Sequence, residues 1–283
     1  MRRWLPRLVY LGSTLLGLTL GYPILPMFAV AGRSISAAPG SVVKWSGPGT
    51  TRCGMAARVW PALNGICYYP IDLLQKPGVL TVVRWRAAAR DYAHITVEAR
   101  DYGVERIELP DIPQAHPSPA DMQRAERETL LQGQVFRRKD GPAKFTLPLG
   151  PPSIPFSGGK SFGVTRFYNG KKDAEPHMGI DSPTPEGSPV IAVADGTVAL
   201  VGDLFFAGKA VFIDHGDGLV SVYFHLGKIE VAEGDNVAKG QHVGTVDSTG
   251  RSTGPHLFFG VRWHDALINP EFLLEDPAKI PEI

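Results

Sequence analysis

The chain has 283 residues, with 29 Lys and Arg against 28 Asp and Glu, a net charge of +1; no strong field draws nucleic acid or an anionic membrane to it. Its 20% charged and 43% apolar residues exclude an unstructured polar chain, and the length suffices for two ordinary domains beside a targeting segment. Gly (32) and Pro (25) are frequent, and short Val- and Ile-rich runs lie between them, which predicts a mainly β chain with many turns.

Arg2, Arg3 and Arg7 open the chain, an apolar stretch continues over 8–31, and it closes on Ala29-Val30-Ala31. This reads as a signal peptide cut after Ala31, with an uncut N-terminal anchor over the same residues as the alternative. Pro23 and Pro26 interrupt the stretch and favour cleavage. Either way the rest is expected outside the cytoplasm, in the periplasm or cell envelope, with membrane contact through this segment alone. Cys53 and Cys67 are the only cysteines, with thirteen residues between them. In an oxidising compartment they are expected to form a disulfide, the alternative being two buried thiols.

Residues 33–40 are small and polar, as in a tether. Over 40–110 the runs 41–45, 79–85 and 94–99 alternate apolar and polar residues between turn signals such as Lys76-Pro77-Gly78, predicting a small β-sandwich accessory domain. It lacks a cluster of titratable residues and reads as a binding or positioning module. Residues 111–159 read as a linker with a short helix from Asp121 to Gln132; its Pro/Gly-rich stretch 141–158 is suited to wrapping the second domain. From 160 to 275 the pattern is β again. Residues 190–194 and 197–201 flank Asp195-Gly196, and 210–214 and 219–223 flank Gly216-Asp217-Gly218, predicting two antiparallel hairpins.

Three clusters carry chemistry. His177 and Asp181, four apart, offer imidazole and carboxylate, a donor pair that suits zinc; a surface His beside a turn Asp has the same spacing. His225 ends a predicted strand, where a lone His is more often structural. A Gly/Ser/Thr loop over 248–255 leads to His256 and Phe258, which share a strand face.

In this order and spacing the clusters resemble the lysostaphin/LytM-type zinc endopeptidases, which cut the peptide cross-links of bacterial cell walls. The resemblance covers about 160–275 and extends to Ile213-Asp214-His215-Gly216, to Val237-Ala238-Lys239-Gly240-Gln241-His242-Val243-Gly244 and to Gly254-Pro255-His256. The β region with its helix is similar to the accessory half of periplasmic two-domain members. The resemblance implies an antiparallel β domain in which His177 and Asp181 bind zinc while His225 and His256 handle the water and the tetrahedral intermediate. The family's last motif is His-x-His, and its second His is the third zinc ligand. Here that residue is Phe258, whose ring donates no lone pair, so zinc is expected to be held weakly. His264 is too far along the strand to replace it, and His215 and His242 read as structural.

Two functions are compatible with this pattern. The first is a peptidoglycan-directed zinc metalloendopeptidase acting on cross-link peptides. The second is a degenerate, non-catalytic domain of the same type that binds peptidoglycan or regulates another cell-wall hydrolase.

Overall fold

A computed structural model describes residues 32–283 apart from 88, 139, 140, 172 and 173; the signal peptide or anchor expected over 1–31 lies outside the described residues. Strands β1 (Arg33–Ala37), β2 (Val42–Ser46), β3 (Thr50–Met55), β4 (Arg58–Pro61), β5 (Ile66–Pro70), β6 (Gly78–Arg86), β7 (Ala89–Val97) and β8 (Val104–Ile107) precede helix α1 (Pro119–Phe136). Then come β9 (Thr165–Tyr168), β10 (Ala174–Pro176), β11 (Ile180–Ser182), β12 (Pro189–Ile191), β13 (Gly196–Leu204), β14 (Gly208–Asp214), β15 (Leu219–Ile229), β16 (Asn236–Val237), β17 (His242–Val246), β18 (Leu257–Trp263), β19 (Ala266–Ile268) and the short helix α2 (Glu271–Leu274). The protein is mainly β, as its turn-rich composition predicts.

In the first half a five-stranded sheet, β1-β7-β6-β3-β4, faces the two-stranded ribbon β2-β5. Val43, Trp45 and Tyr69 of the ribbon pack on Val82, Ala93 and Ile95 of the sheet. A disulfide joins Cys53 on β3 to Cys67 on β5, with Cα atoms 5.4 Å apart. Residues 33–37 are not a tether: β1 pairs in parallel with β7, Ile35 opposite Ile95. Ile35 and Ala37 alternate with polar neighbours and add to this core, a period of two that the small polar composition hides.

Helix α1 starts two residues before the predicted Asp121. Ser118 caps it, and Asp121 is the third helical residue, returning a bond to the Ser118 backbone in a capping box. It also runs four residues past Gln132, because Val135 and Phe136 find apolar partners in Ala210, Phe212 and Val220. Among the described residues no helix is long and apolar enough to cross a membrane.

The second half is a large sheet in the order β11-β18-β15-β14-β13-β16, with β12 and β17 paired beside it and β19 added to β18. The hairpin over Gly216-Asp217-Gly218 forms as β14-β15, with Asp214 opposite Val220. The hairpin predicted across Asp195-Gly196 does not. β12 pairs with β17 and β13 with β14, because residues 192–194 cross the buried core between other partners: Ala192 donates to the Gln241 carbonyl, and the Val193 carbonyl accepts from Gly150. The stretch 141–158 lies along this sheet through Lys144 to His215 and Leu149 to Leu273 bonds. β8 pairs in parallel with β9, which pairs with β10, and this small sheet borders the site.

Candidate functional site

Asp181 sits at the centre of β11 opposite Phe258 on β18, and Phe258 lies opposite Phe224 on β15. The three residues form a row across adjacent strands. His177 enters just before β11. His225 joins from β15 through a bulge: between the Lys209–Leu226 and Val211–Tyr223 pairs, two residues of β15 face one of β14. His225 takes a left-handed backbone, φ 63°, held by bonds from its N–H to the Ala207 carbonyl and from the Asp247 N–H to its own carbonyl. This is a strained setting for a residue with a Cβ, and surrounding bonds must fix it. His256 leads into β18 from the Gly/Ser/Thr loop.

All four predicted polar residues converge. His177 Nε2 lies 3.2 Å and His256 Nε2 3.5 Å from Asp181 Oδ1, and the His225 and His256 rings are 4.7 Å apart. Each imidazole turns its other nitrogen to a backbone carbonyl: His177 Nδ1 to Ser161 (3.1 Å), His225 Nδ1 to Thr249 (2.7 Å) and His256 Nδ1 to Gly254 (2.9 Å). A carbonyl only accepts, so each Nδ1 carries a proton and each Nε2 turns toward the site; for His256 burial works against the charged form, but the facing Asp181 carboxylate outweighs it and raises the imidazole above its ordinary value.

Asp181 is buried between opposite tendencies. Burial by itself would raise its carboxyl, but the facing imidazoles and the Arg166 charge reverse this and hold it well below the usual carboxylate range. Arg166, on β9, donates to Asp181 Oδ2 at 2.8 Å and to Glu105 at 2.8 Å. The other oxygen, Oδ1, is buried and faces the Nε2 atoms of His177 and His256. Burial, helped by repulsion from His256, lowers the His225 imidazole to about 4, so this ring is neutral at pH 7.

Phe258 stands where the resemblance expects the third metal ligand. Its ring is buried, stacks on Phe224 at 4.8 Å with planes 6° apart, and meets His177 edge-on at 5.2 Å. Gly179 makes room for it, since a Cβ there would come within 2.6 Å of the Phe258 ring. Among the described residues no three His, Cys, Asp or Glu side chains form a finished metal-binding set.

The other histidines lie elsewhere. His215 is fully buried; its Nδ1 donates to the Asp195 carbonyl and its Nε2 meets the Ser221 hydroxyl at 2.8 Å. His242 is exposed at the start of β17. His264 lies in the β18-β19 turn against the Trp60 ring, 4.4 Å away. Sequence reasoning missed Arg166 and Ser161, which reach the site only through the β8-β9-β10 sheet and its approach loop; neither belongs to a spaced motif. The site opens into a groove of about 1020 Å³, walled by Ala125 and Thr129 of α1 on one side and by Met178 and Arg251 on another.

The family model "Peptidase family M23" matches residues 175–270, which carry His177, Asp181, His225 and His256. A crystal structure of a putative peptidase M23 from Pseudomonas aeruginosa is similar beyond that segment: it covers 84% of this chain and 94% of its own, with 30% identity and a TM-score of 0.64. The chain belongs to peptidase family M23. Among curated relatives, the DD-carboxypeptidase/endopeptidase Mpg of Neisseria meningitidis serogroup B is 46% identical over 94 residues, 33% of this chain and 22% of that protein. The peptidoglycan DD-endopeptidase ShyA of Vibrio cholerae is 39% identical over 99 residues, 35% of this chain and 23% of that protein. The chain thus spans less than a quarter of the length of these two relatives.

Proposed function

We propose that this M23 protein works outside the cytoplasm, holds peptidoglycan peptides in its groove, and acts by binding them or by regulating another cell-wall hydrolase, without cutting them itself. One observation carries the reading: the third ligand position holds Phe258, buried and stacked on Phe224. A catalytic zinc takes three protein ligands and leaves one position for water, and when bound it polarises the scissile carbonyl and acidifies that water. The residues at the family's three ligand positions do not fit it, because a phenyl ring locked in an apolar stack offers no donor. The name of the ShyA relative supports peptidoglycan as the target. The basic, apolar opening of the chain and the Cys53–Cys67 disulfide support export.

The chain's own residues suit binding. Phe224 and Phe258 give the groove an apolar floor, Met178 stands half-exposed at its side, and Arg251, ion-paired with Glu175 at 2.7 Å, stacks over Tyr168 and Phe206 at 4.1 and 4.6 Å. Sedimentation with purified insoluble peptidoglycan tests this. The protein should be retained, and Met178→Asp, which puts a charge at the groove wall, should weaken retention several-fold. Equal retention of the variant would place binding elsewhere. A slow zinc endopeptidase is the second reading, favoured by His177 and Asp181 standing 3.2 Å apart with His225 beside them.

A further inference from the structure

We infer that the outward face of the five-stranded sheet β1-β7-β6-β3-β4 binds a carboxylate-bearing glycan, the peptide-free strand of the wall polymer, with Arg52 and Arg90 taking the carboxylates. The choice of polymer rests on the wall-directed reading above; the face itself shares no residue with the groove beside Asp181. Alternation builds it. The ribbon β2-β5 covers one side of the sheet through Val82, Ala93 and Ile95, and the residues between these point the other way. Val79 and Tyr92 are exposed there, where a sheet face without a second layer ordinarily carries polar side chains.

Charge selects the ligand. Arg52, Trp85 and Arg90 stand side by side on β3, β6 and β7, and both guanidiniums lie over the Trp85 ring, 5.4 and 5.9 Å from its centre. Gly54 lets that ring extend across β3, because a Cβ there would meet it at 2.8 Å. A guanidinium stacked on a ring is held in place and keeps its edge N–H donors for a planar anion such as carboxylate. Among the described residues neither arginine has a carboxylate partner. Asp91, next to Arg90 in sequence, turns to the opposite face and pairs with Arg84. Among the described residues no outward position of these five strands is Asp or Glu, so the face attracts an anion and offers it no competitor.

Two further features favour a glycan over other anions. Away from Trp85 the face becomes hydroxyl-rich: Thr81 lies 3.4 Å from His94, with Ser34 opposite His94 and Ser36 opposite Thr96. Such groups match a polymer bearing hydroxyls and amides along its length, and pressing them into lipid would cost desolvation. Between the β3-β4 turn and β6 runs a groove of about 410 Å³ lined by Met55, Val59, Val79 and Val83, apolar enough for the C–H face of a sugar or an acetyl methyl. Two arginines are also too few for a nucleic acid, where about 6–10 phosphate contacts are usual. A wall sugar exposes its carboxylate once its peptide has been removed, so the sheet recognises bare strands while the other groove takes peptides.

The test uses the full chain and soluble glycan strands freed of peptide by an amidase, titrated by calorimetry at pH 7.5. Chitin oligosaccharides, which have acetylated amino sugars without carboxylates, and anionic phospholipid vesicles are run beside them. The unmutated protein should bind the carboxylated strands about tenfold more tightly than the neutral ones, the scale of a charge-assisted bond, and added salt should weaken this binding. Arg52→Gln and Arg90→Gln should each lower the affinity about tenfold. Both side chains are exposed, so the urea midpoint should stay in place. Absence of strand binding, equal affinity for neutral and carboxylated strands, unchanged affinity in both arginine variants, or tighter binding to the vesicles would each overturn the assignment. Bare strands carry no peptide for the groove beside Asp181, so their failure to bind leaves the proposed function standing. Loss of peptide binding with strand binding intact counts against the proposed function alone.

Discussion

Replacing Phe258 by His restores the family's third donor and trades packing for coordination. In the absence of metal it should destabilise the fold. Truncating a buried Phe to Ala costs about 3–5 kcal/mol; an imidazole refills much of the space but loses the face-to-face stack with Phe224, about 0.5–1.5 kcal/mol, and brings polar nitrogens into an apolar row. A loss of about 2–3 kcal/mol is expected for the metal-free variant. Zinc then reverses it. The new donor lies cross-strand from Asp181, and a metal at one hundred times its dissociation constant returns about 2.7 kcal/mol. Urea unfolding with chelator, and again with zinc, gives both numbers. The zinc increment in Phe258→His should exceed that of the unmutated protein, and cleavage of wall peptides should emerge with it. Equal zinc increments in the two proteins would refute the reasoning.

Other contacts make their own expectations. Burial pushes the Asp217 carboxyl up to about 7 from an ordinary 3.8, with His264 Nε2 3.9 Å away. The unfolded chain gives up this proton as pH rises past about 4 while the folded chain keeps it, so a stabilising contribution of a few kcal/mol, complete below pH 4, is lost as pH rises to 7. Asp217→Asn should flatten that loss in urea midpoints taken across pH 4–7, relative to the unmutated protein; His215, lowered to about 4 by burial, acts in the opposite sense in both. Gly179→Ala places a Cβ 2.5 Å from the Phe259 carbonyl oxygen and 2.6 Å from the Phe258 ring; a loss of about 1–3 kcal/mol is expected, with the ring displaced in a crystal structure. Ser118→Ala removes the capping box of α1 and should cost about 1 kcal/mol in the same urea assay.

The legible part of this protein is the part whose chemistry is written locally. His177 and Asp181 share a short segment, and Gly254-Pro255-His256 announces itself through turn chemistry, so these residues and the defect at Phe258 are visible in the sequence. The disulfide is legible from an isolated Cys pair, and the β14-β15 hairpin from three residues that accept left-handed backbone. What sequence reasoning misses depends on distant pairing. Asp195-Gly196 has the residues of a hairpin turn, but Val190 prefers a partner more than fifty residues on, Gly244, because the core must be closed on that side. Arg166 gives no local sign that it meets Asp181, and the parallel pairing that carries Glu105 to Arg166 joins residues 61 apart. The His225 bulge is set by β14 alignment and by the Ala207 and Asp247 backbone bonds, none of which has a sequence pattern. Nor does the sequence by itself reveal that His256 faces Asp181; the pairing of β11 with β18 brings the two together.

The central claim is that the groove holds wall peptides without cutting them, and a defined cross-linked peptidoglycan peptide dimer tests it most directly. The purified protein, supplied with excess zinc at pH 7.5, is incubated with the dimer and the products are tracked by mass spectrometry, with a chelator-treated sample in parallel. The account predicts intact dimer in both samples, with Phe258→His releasing monomer only when zinc is present. Chelator-sensitive release of monomer by the unmutated protein would contradict it.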